Sequence, residues 1–150
     1  MNTIRNKFLL LYCIFLGACV SPAGEQQGMD RETKLKFDQY MVNGARIYQA
    51  NCANCHQSQG EGLAKLYPPL AGSDYLLENI PRAACIIKNG QFQKITVNGI
   101  TFNQMMPAMP GLTNLEIAEV ITFISNSWGN KGGFQSVKEV EKWLQACEQK

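Results

Sequence analysis

Histidine is nearly missing from this sequence: among 150 residues there is one, His56. A zinc site takes four ligands of cysteine or histidine type, so with a single imidazole the set would have to be drawn mainly from thiols. Nothing along the chain resembles a general acid and base pair or a nucleophilic triad. An excess of charge is missing too. With 14 basic and 12 acidic residues and a formal net charge of +2, the chain lacks the basic footprint that nucleic-acid binding requires. It also lacks a strongly apolar run of the roughly 20 residues that a membrane span needs. No internal repeat or low-complexity stretch is visible. What is present, 45% hydrophobic and 17% charged residues over this length, suits one small globular core.

The most apolar stretch, Phe8–Val20 (FLLLYCIFLGACV), follows Arg5 and Lys7 and has the form of an export signal. Its end, Leu16-Gly17-Ala18-Cys19, resembles the lipobox of bacterial lipoproteins, which implies cleavage before Cys19 and lipid on that residue; the alternative is ordinary cleavage near Ala23. Residues 20–34 are polar, with proline and glycine and no apolar periodicity. The chain is therefore expected to comprise a lipoprotein-type signal (1–18), a lipidated N-terminus with a flexible tether (19–34), and one domain (35–150). Without Arg5 and Lys7 the remaining basic residues equal the 12 acidic ones. Of the six cysteines, Cys13 leaves with the signal, Cys19 is the lipid candidate, and Cys52 and Cys55 share one motif. Cys85 and Cys147 remain, and in an oxidising compartment they are expected to form a disulfide, the alternative being two buried thiols.

Apolar periodicity predicts a first helix from about Leu35 to Ala50. Gly44 in its middle costs about 1 kcal/mol relative to alanine, which makes sense if another helix crosses closely there. Residues 57–72 are rich in glycine and proline and are expected to be loop. Ser73 is placed to cap a short helix through Asn79, Pro81 to open another, and Gly90 to end it. Asn98-Gly99 between β-branched residues predicts a two-stranded hairpin. Thr113 with Glu116 forms a capping box, and Leu112 with Ile117 a hydrophobic staple, for a helix to about Asn126. Its face of Ile117, Val120, Ile121 and Ile124 should meet the Gly44 face. A second box, Ser136 to Glu139, starts a last helix with the stripe Val137, Val140, Leu144 and Cys147. The expected fold class is all-α with one small β-hairpin.

The single histidine stands directly behind a C-x-x-C, in Asn51-Cys52-Ala53-Asn54-Cys55-His56-Gln57. This spacing puts two thiols and an imidazole on one turn, which suits covalent attachment of haem through thioethers with the imidazole as axial iron ligand. Three other readings compete. A thioredoxin-type redox pair wants a βαβ context, zinc would require Cys85 and Cys147 as well, and a Cys52–Cys55 disulfide leaves His56 without a purpose. No second histidine exists for the other face of the iron. The segment from Asn103 to Pro110 supplies three thioethers instead, Met105, Met106 and Met109. Thioether ligation raises the haem potential and closes the iron to small molecules.

The ordered series C-A-N-C-H, G-E-G, P-P-L, N-G-I-T-F-N-x-x-M-P, L-T-x-x-E-I-A-x-V-x-T-F-I and N-S-W-G-N resembles a class I cytochrome c domain over about residues 40 to 135. It is similar to small bacterial cytochromes c and to cytochrome domains associated with copper nitrite reductases, alcohol dehydrogenases and haem-copper oxidases. The resemblance implies the class I cytochrome c fold, with helices around one covalently bound haem c. It matches Cys52 and Cys55 to the thioether cysteines, His56 to the proximal ligand and Met106 to the second axial ligand. Pro68 matches the residue whose carbonyl accepts the histidine Nδ1–H, and Gly44 and Tyr48 match a helix crossing against Phe123. Two departures stand out. Met105 and Met109 flank the matched ligand, and the last helix with the Cys85/Cys147 pair extends beyond the common pattern.

The function expected is that of a monohaem electron carrier rather than an enzyme, held by lipid at a bacterial membrane with its domain on the periplasmic or extracytoplasmic side. Redox proteins are the expected partners: an oxidase, a reductase or a dehydrogenase. The carrier is expected to be monomeric when free. Two rivals are a haem enzyme or gas sensor with an open distal site, and a permanently bound subunit of a larger oxidoreductase. Residues expected around the haem edge, Ala53, Asn54, Gln57, Ser58, Gln104, Met105, Ala108 and Met109, are uncharged, so docking should be mainly apolar. The alternative is steering by Lys65, Lys88 or Lys94.

Overall fold

Asp30 starts the first element. Its carboxylate accepts the amides of Glu32 and Thr33 at 2.9 and 3.0 Å, and helix α1 runs Arg31–Asn51. The computed structural model describes residues 29–147; the signal segment and the lipid candidate Cys19 lie outside the described residues. The helix begins four residues before the expected domain start at Leu35, so the end of the expected tether, Arg31 to Lys34, is helical. Polar contacts explain this: the Asp30 cap, with Glu32–Lys36 at 2.7 Å and Lys34–Asp38 at 3.3 Å, supports a turn that has no apolar periodicity to reveal it.

One turn, α2 (Ala53–His56), follows α1 directly. After a long loop, α3 (Asp74–Leu77) is capped by the Ser73 hydroxyl. The short helix expected through Asn79 stops earlier, because the Asn79 side chain accepts the Arg82 amide at 2.9 Å and starts α4 (Ile80–Asn89) itself. Pro81 is consequently the second residue of α4 rather than its first. Gly90 ends that helix at φ 84°.

Strands β1 (Ile95–Val97) and β2 (Ile100–Phe102) pair antiparallel with Val97 opposite Ile100. Asn98 and Gly99 both have positive φ, 49° and 75°, as a tight two-residue hairpin turn demands. The turn is latched to α3 by two bonds, Asp74 amide to Asn98 Oδ1 at 3.0 Å and Asn98 amide to Asp74 Oδ1 at 2.8 Å.

Helix α5 (Asn114–Asn126) opens with the complete Thr113/Glu116 capping box. It is buried nearly all round, from Ile117 to Ser125, and packs against α1, α4 and the last helix, α6 (Val137–Cys147). The second capping box is also formed, with the Glu139 amide donating to Ser136 Oγ at 3.3 Å and the Ser136 amide to Glu139 Oε2 at 3.0 Å.

Helices α1 and α5 cross closely. Tyr40, Gly44 and Tyr48 form the buried stripe of α1 at four-residue spacing. A Cβ on Gly44 would lie 2.7 Å from Phe123 Cβ and closer still to the Glu119 carbonyl oxygen. Tyr48 continues the contact, with its ring 5.5 Å from Phe123 and 5.1 Å from Trp128. Asn130 then joins distant segments: its amide donates to the carbonyls of Leu70 and Ile124 at 2.9 and 2.8 Å, and its oxygen accepts the Gly72 amide at 2.9 Å. A disulfide joins Cys85 on α4 to Cys147 on α6 across a Cα separation of 5.9 Å. Among the described residues no helix is long and apolar enough to cross a membrane.

Candidate cofactor site

The end of α1 and the single turn α2 present the chemistry. Cys52 caps α1 and enters α2, so the two thiols and the imidazole of His56 follow one another on a continuous helical path. Both thiols are free. Gln57, at φ 63°, turns the chain away, and the Tyr48 hydroxyl donates to its carbonyl at 2.5 Å.

The loop that follows curls back under the imidazole. The Gly62 amide donates to the His56 carbonyl at 2.9 Å, and the Leu70 and Ala71 amides converge on the Gly60 carbonyl at 2.7 and 2.9 Å. Gly62 has φ +69°, and a Cβ there would lie 2.7 Å from the Pro68 carbonyl carbon. Only glycine lets the backbone pass so close. The result is one defined contact: His56 Nδ1 donates to the Pro68 carbonyl oxygen at 2.9 Å. That bond fixes the tautomer and leaves Nε2 as the nitrogen available to a metal.

These groups line one cleft of about 1130 Å³, its open mouth included. The walls are apolar: Ile86 and Ile87 from α4, Val97 and Phe102 from the hairpin, Val120 and Ile124 from α5. Burial keeps His56 below its ordinary value, only partly offset by the Pro68 bond. Burial, and then the neighbouring Cys55, raise the Cys52 thiol to about 11. Both groups are therefore neutral near pH 7 before any ligand engages them.

All three methionines line the cleft, but unequally. Met105 is 56% exposed, whereas Met106 and Met109 pack against the core. Met106 is held on both sides of its backbone, exchanging two 2.9 Å hydrogen bonds with Gln91; the Met109 amide makes one, to the Ile87 carbonyl. Sequence reasoning missed Gln91, because a single bridge between two loops carries no periodic signal. It also missed Tyr67, which lines the mouth beside Cys55. Cys85 and Cys147, being joined to each other, do not complete a metal set with the C-x-x-C. Among the described residues no group of three or more cysteine, histidine or acidic side chains is placed to hold a metal ion.

The donors fit a covalently attached haem. Two free thiols and an oriented imidazole stand on one helical path, thioethers share the cleft, and the walls are apolar. Fold and cleft together define a small helical protein of the covalent haem-binding class.

The comparisons agree. The cytochrome c family model matches residues 41–128. The chain is 37% identical over 93 residues to cytochrome c-552 of Thermus thermophilus, covering 59% of this chain and 70% of that protein. It is 30% identical over 113 residues to the cytochrome c subunit of a quinone alcohol dehydrogenase of Gluconobacter oxydans, covering 66% of this chain and 21% of the subunit. With the corresponding subunit of Komagataeibacter europaeus it shares 35% over 103 residues, covering 60% of this chain and 19% of the subunit. The chain thus spans about a fifth of the length of these dehydrogenase subunits. The chain belongs to the cytochrome c family. The matched domain, residues 41–128, is thus of the electron-carrying kind that binds haem c covalently.

Proposed function

We propose that this carrier is exported, anchored by lipid on Cys19, and passes single electrons between redox proteins at the outer face of a bacterial membrane. In this reading Cys52 and Cys55 would hold the haem through thioethers, and His56 and Met106 would ligate its iron. The bound haem supplies a reversible one-electron change at iron. The observation that carries the assignment is the His56–Pro68 bond, which presents one nitrogen of one tautomer to the cleft that Met106 also lines.

Each side chain has a physical task. His56, its Nδ1–H tied to a carbonyl, is a more basic ligand than a free imidazole. Met106 offers neutral sulfur, which favours the reduced state and closes the second face. The apolar walls keep water out and penalise the more highly charged oxidised site. Around the mouth, Asn51, Gln104 and Met105 are exposed and uncharged, so a partner meets uncharged side chains there. Lys88 keeps its charge, but its ammonium is held on the carbonyls of Pro110 and Leu112.

A dehydrogenase is the proposed donor, supported by the relatives that are cytochrome subunits of alcohol dehydrogenases. The same relatives favour a second reading, in which the chain is a permanent subunit of such an enzyme. Purification of the haem-loaded full chain from solubilised membranes separates the two: a carrier comes away alone, a subunit with a stoichiometric partner. Electron transfer from a purified membrane dehydrogenase should change little between low and physiological salt. A steep fall with ionic strength would contradict neutral docking, and a Cys19→Ala chain still held in the membrane fraction would contradict the lipid anchor.

A further inference from the structure

Helix α4 grips the methionine segment at three levels. The Ile87 carbonyl accepts the Met109 amide at 2.9 Å, and Gln91, just past the Gly90 stop, exchanges two 2.9 Å bonds with Met106. Between them Lys88 Nζ donates to the Pro110 carbonyl at 3.0 Å and the Leu112 carbonyl at 3.2 Å. The first two grips are backbone bonds, largely independent of side-chain identity. The third belongs to one side chain in the last turn of α4, and it places a full positive charge on two carbonyls at the point where the segment joins the cap of α5.

We propose that Lys88 is a positioning residue for Met106: by closing the segment 103–112 against α4, it sets how rarely the thioether leaves the iron. This rests on the reading of Met106 as axial ligand. Apart from its bridge to Gln91, the segment has no strand or helix of its own, so few hydrogen bonds tie its backbone to α4. Hydrogen bonds from an ammonium to two carbonyls are charge-assisted and stronger than neutral ones. An external ligand reaches the iron only while the segment is open. Its apparent affinity is the intrinsic affinity multiplied by the open fraction, so loosening the segment shows directly as tighter binding of a competitor.

The test is a titration of the oxidised, haem-loaded full chain with imidazole, followed by loss of the sulfur-to-iron absorption band at the red end of the spectrum. Lys88→Met keeps the apolar stem and removes the donors. It should bind imidazole about tenfold more tightly, the ratio that about 1.4 kcal/mol sets. Lys88→Arg, which restores donors, should return close to the native affinity. A Lys88→Met chain that binds imidazole as the native chain does, even if it melts earlier, would overturn the proposal, because a merely structural lysine alters stability without opening the iron. A Lys88→Arg chain as open as Lys88→Met would count against it too. Met106→Ala separates the underlying reading: if the band survives there, the ligand assignment fails, whereas its loss there alongside a native-like Lys88→Met defeats the positioning role alone.

Discussion

The imidazole of His56 is anchored by the carbonyl of Pro68, Nδ1 to oxygen at 2.9 Å, and the approach of these two residues depends on a third. Gly62 lets the loop fold under the ring at φ +69°, with no room for a Cβ against Pro68. Gly62→Ala should displace the Pro68 carbonyl and weaken the bond. A less basic imidazole stabilises the oxidised iron less, so the reduction potential should rise, by at most about 40 mV if the whole of a roughly 1 kcal/mol hydrogen bond distinguishes the two oxidation states. Voltammetry of the haem-loaded variant measures this, and an unchanged potential would show that the Pro68 contact does not tune the ligand.

Gly44 governs the α1/α5 crossing in the same steric way. Alanine in an open helix position would gain about 1 kcal/mol over glycine. Here its Cβ would press into Phe123 and the Glu119 carbonyl, so Gly44→Ala should cost about 2–3 kcal/mol as the helices part. Chemical denaturation decides between the two signs. A variant as stable as the native chain would mean that the helices do not cross as closely as described.

How far the fold could be read in advance depended on the range of the interaction. The Thr113/Glu116 and Ser136/Glu139 boxes and the Asn98-Gly99 turn are complete within a few residues, and each forms where the sequence predicts. Gly44 was legible because a helix tolerates a central glycine at a cost, which implies a close neighbour. The start of α1 was not, since Arg31 to Lys34 are held by a cap and ion pairs rather than by a buried stripe. Asn130 was not either: its partner Leu70 is 60 positions away, and nothing local separates a bridging asparagine from a turn asparagine. In the site, C-x-x-C-H announced itself as a contiguous string, whereas the support of Met106 by Gln91 and Lys88 is visible only in three dimensions.

The bond between Cys85 and Cys147 closes a loop with a sequence separation of 62. In the chain-entropy account such a loop is worth about 4 kcal/mol. Cys85→Ser/Cys147→Ser should lose stability of that order in denaturant melts, with α6 freed from α4 first. Recovery of two free thiols from non-reduced peptides of exported native protein would refute the bond itself.

Glu116 gives the domain a specific acid response. The Thr113 amide, and then the Thr113 hydroxyl, hold its carboxyl below the ordinary value of 4.5. A depressed folded value contributes stability in full above pH 4.5, and that contribution is lost as pH falls through the lowered value. Glu116→Gln keeps an acceptor but not the charge. It should melt below the native chain at about pH 7, and the gap should close as the pH falls through the lowered value, below 4.5. A gap that stays constant as the pH is lowered would mean that the charge at the start of α5 contributes nothing.

The central claim is that the cleft holds one haem iron between His56 and Met106. Oxidised spectra of haem-loaded Met105→Ala, Met106→Ala and Met109→Ala chains test it most directly, through the sulfur-to-iron absorption band near the red end of the spectrum. The band should vanish in Met106→Ala alone, because Met106 is the methionine bound on both sides of its backbone to Gln91. Its persistence in Met106→Ala, or its loss in Met109→Ala alone, would contradict the account.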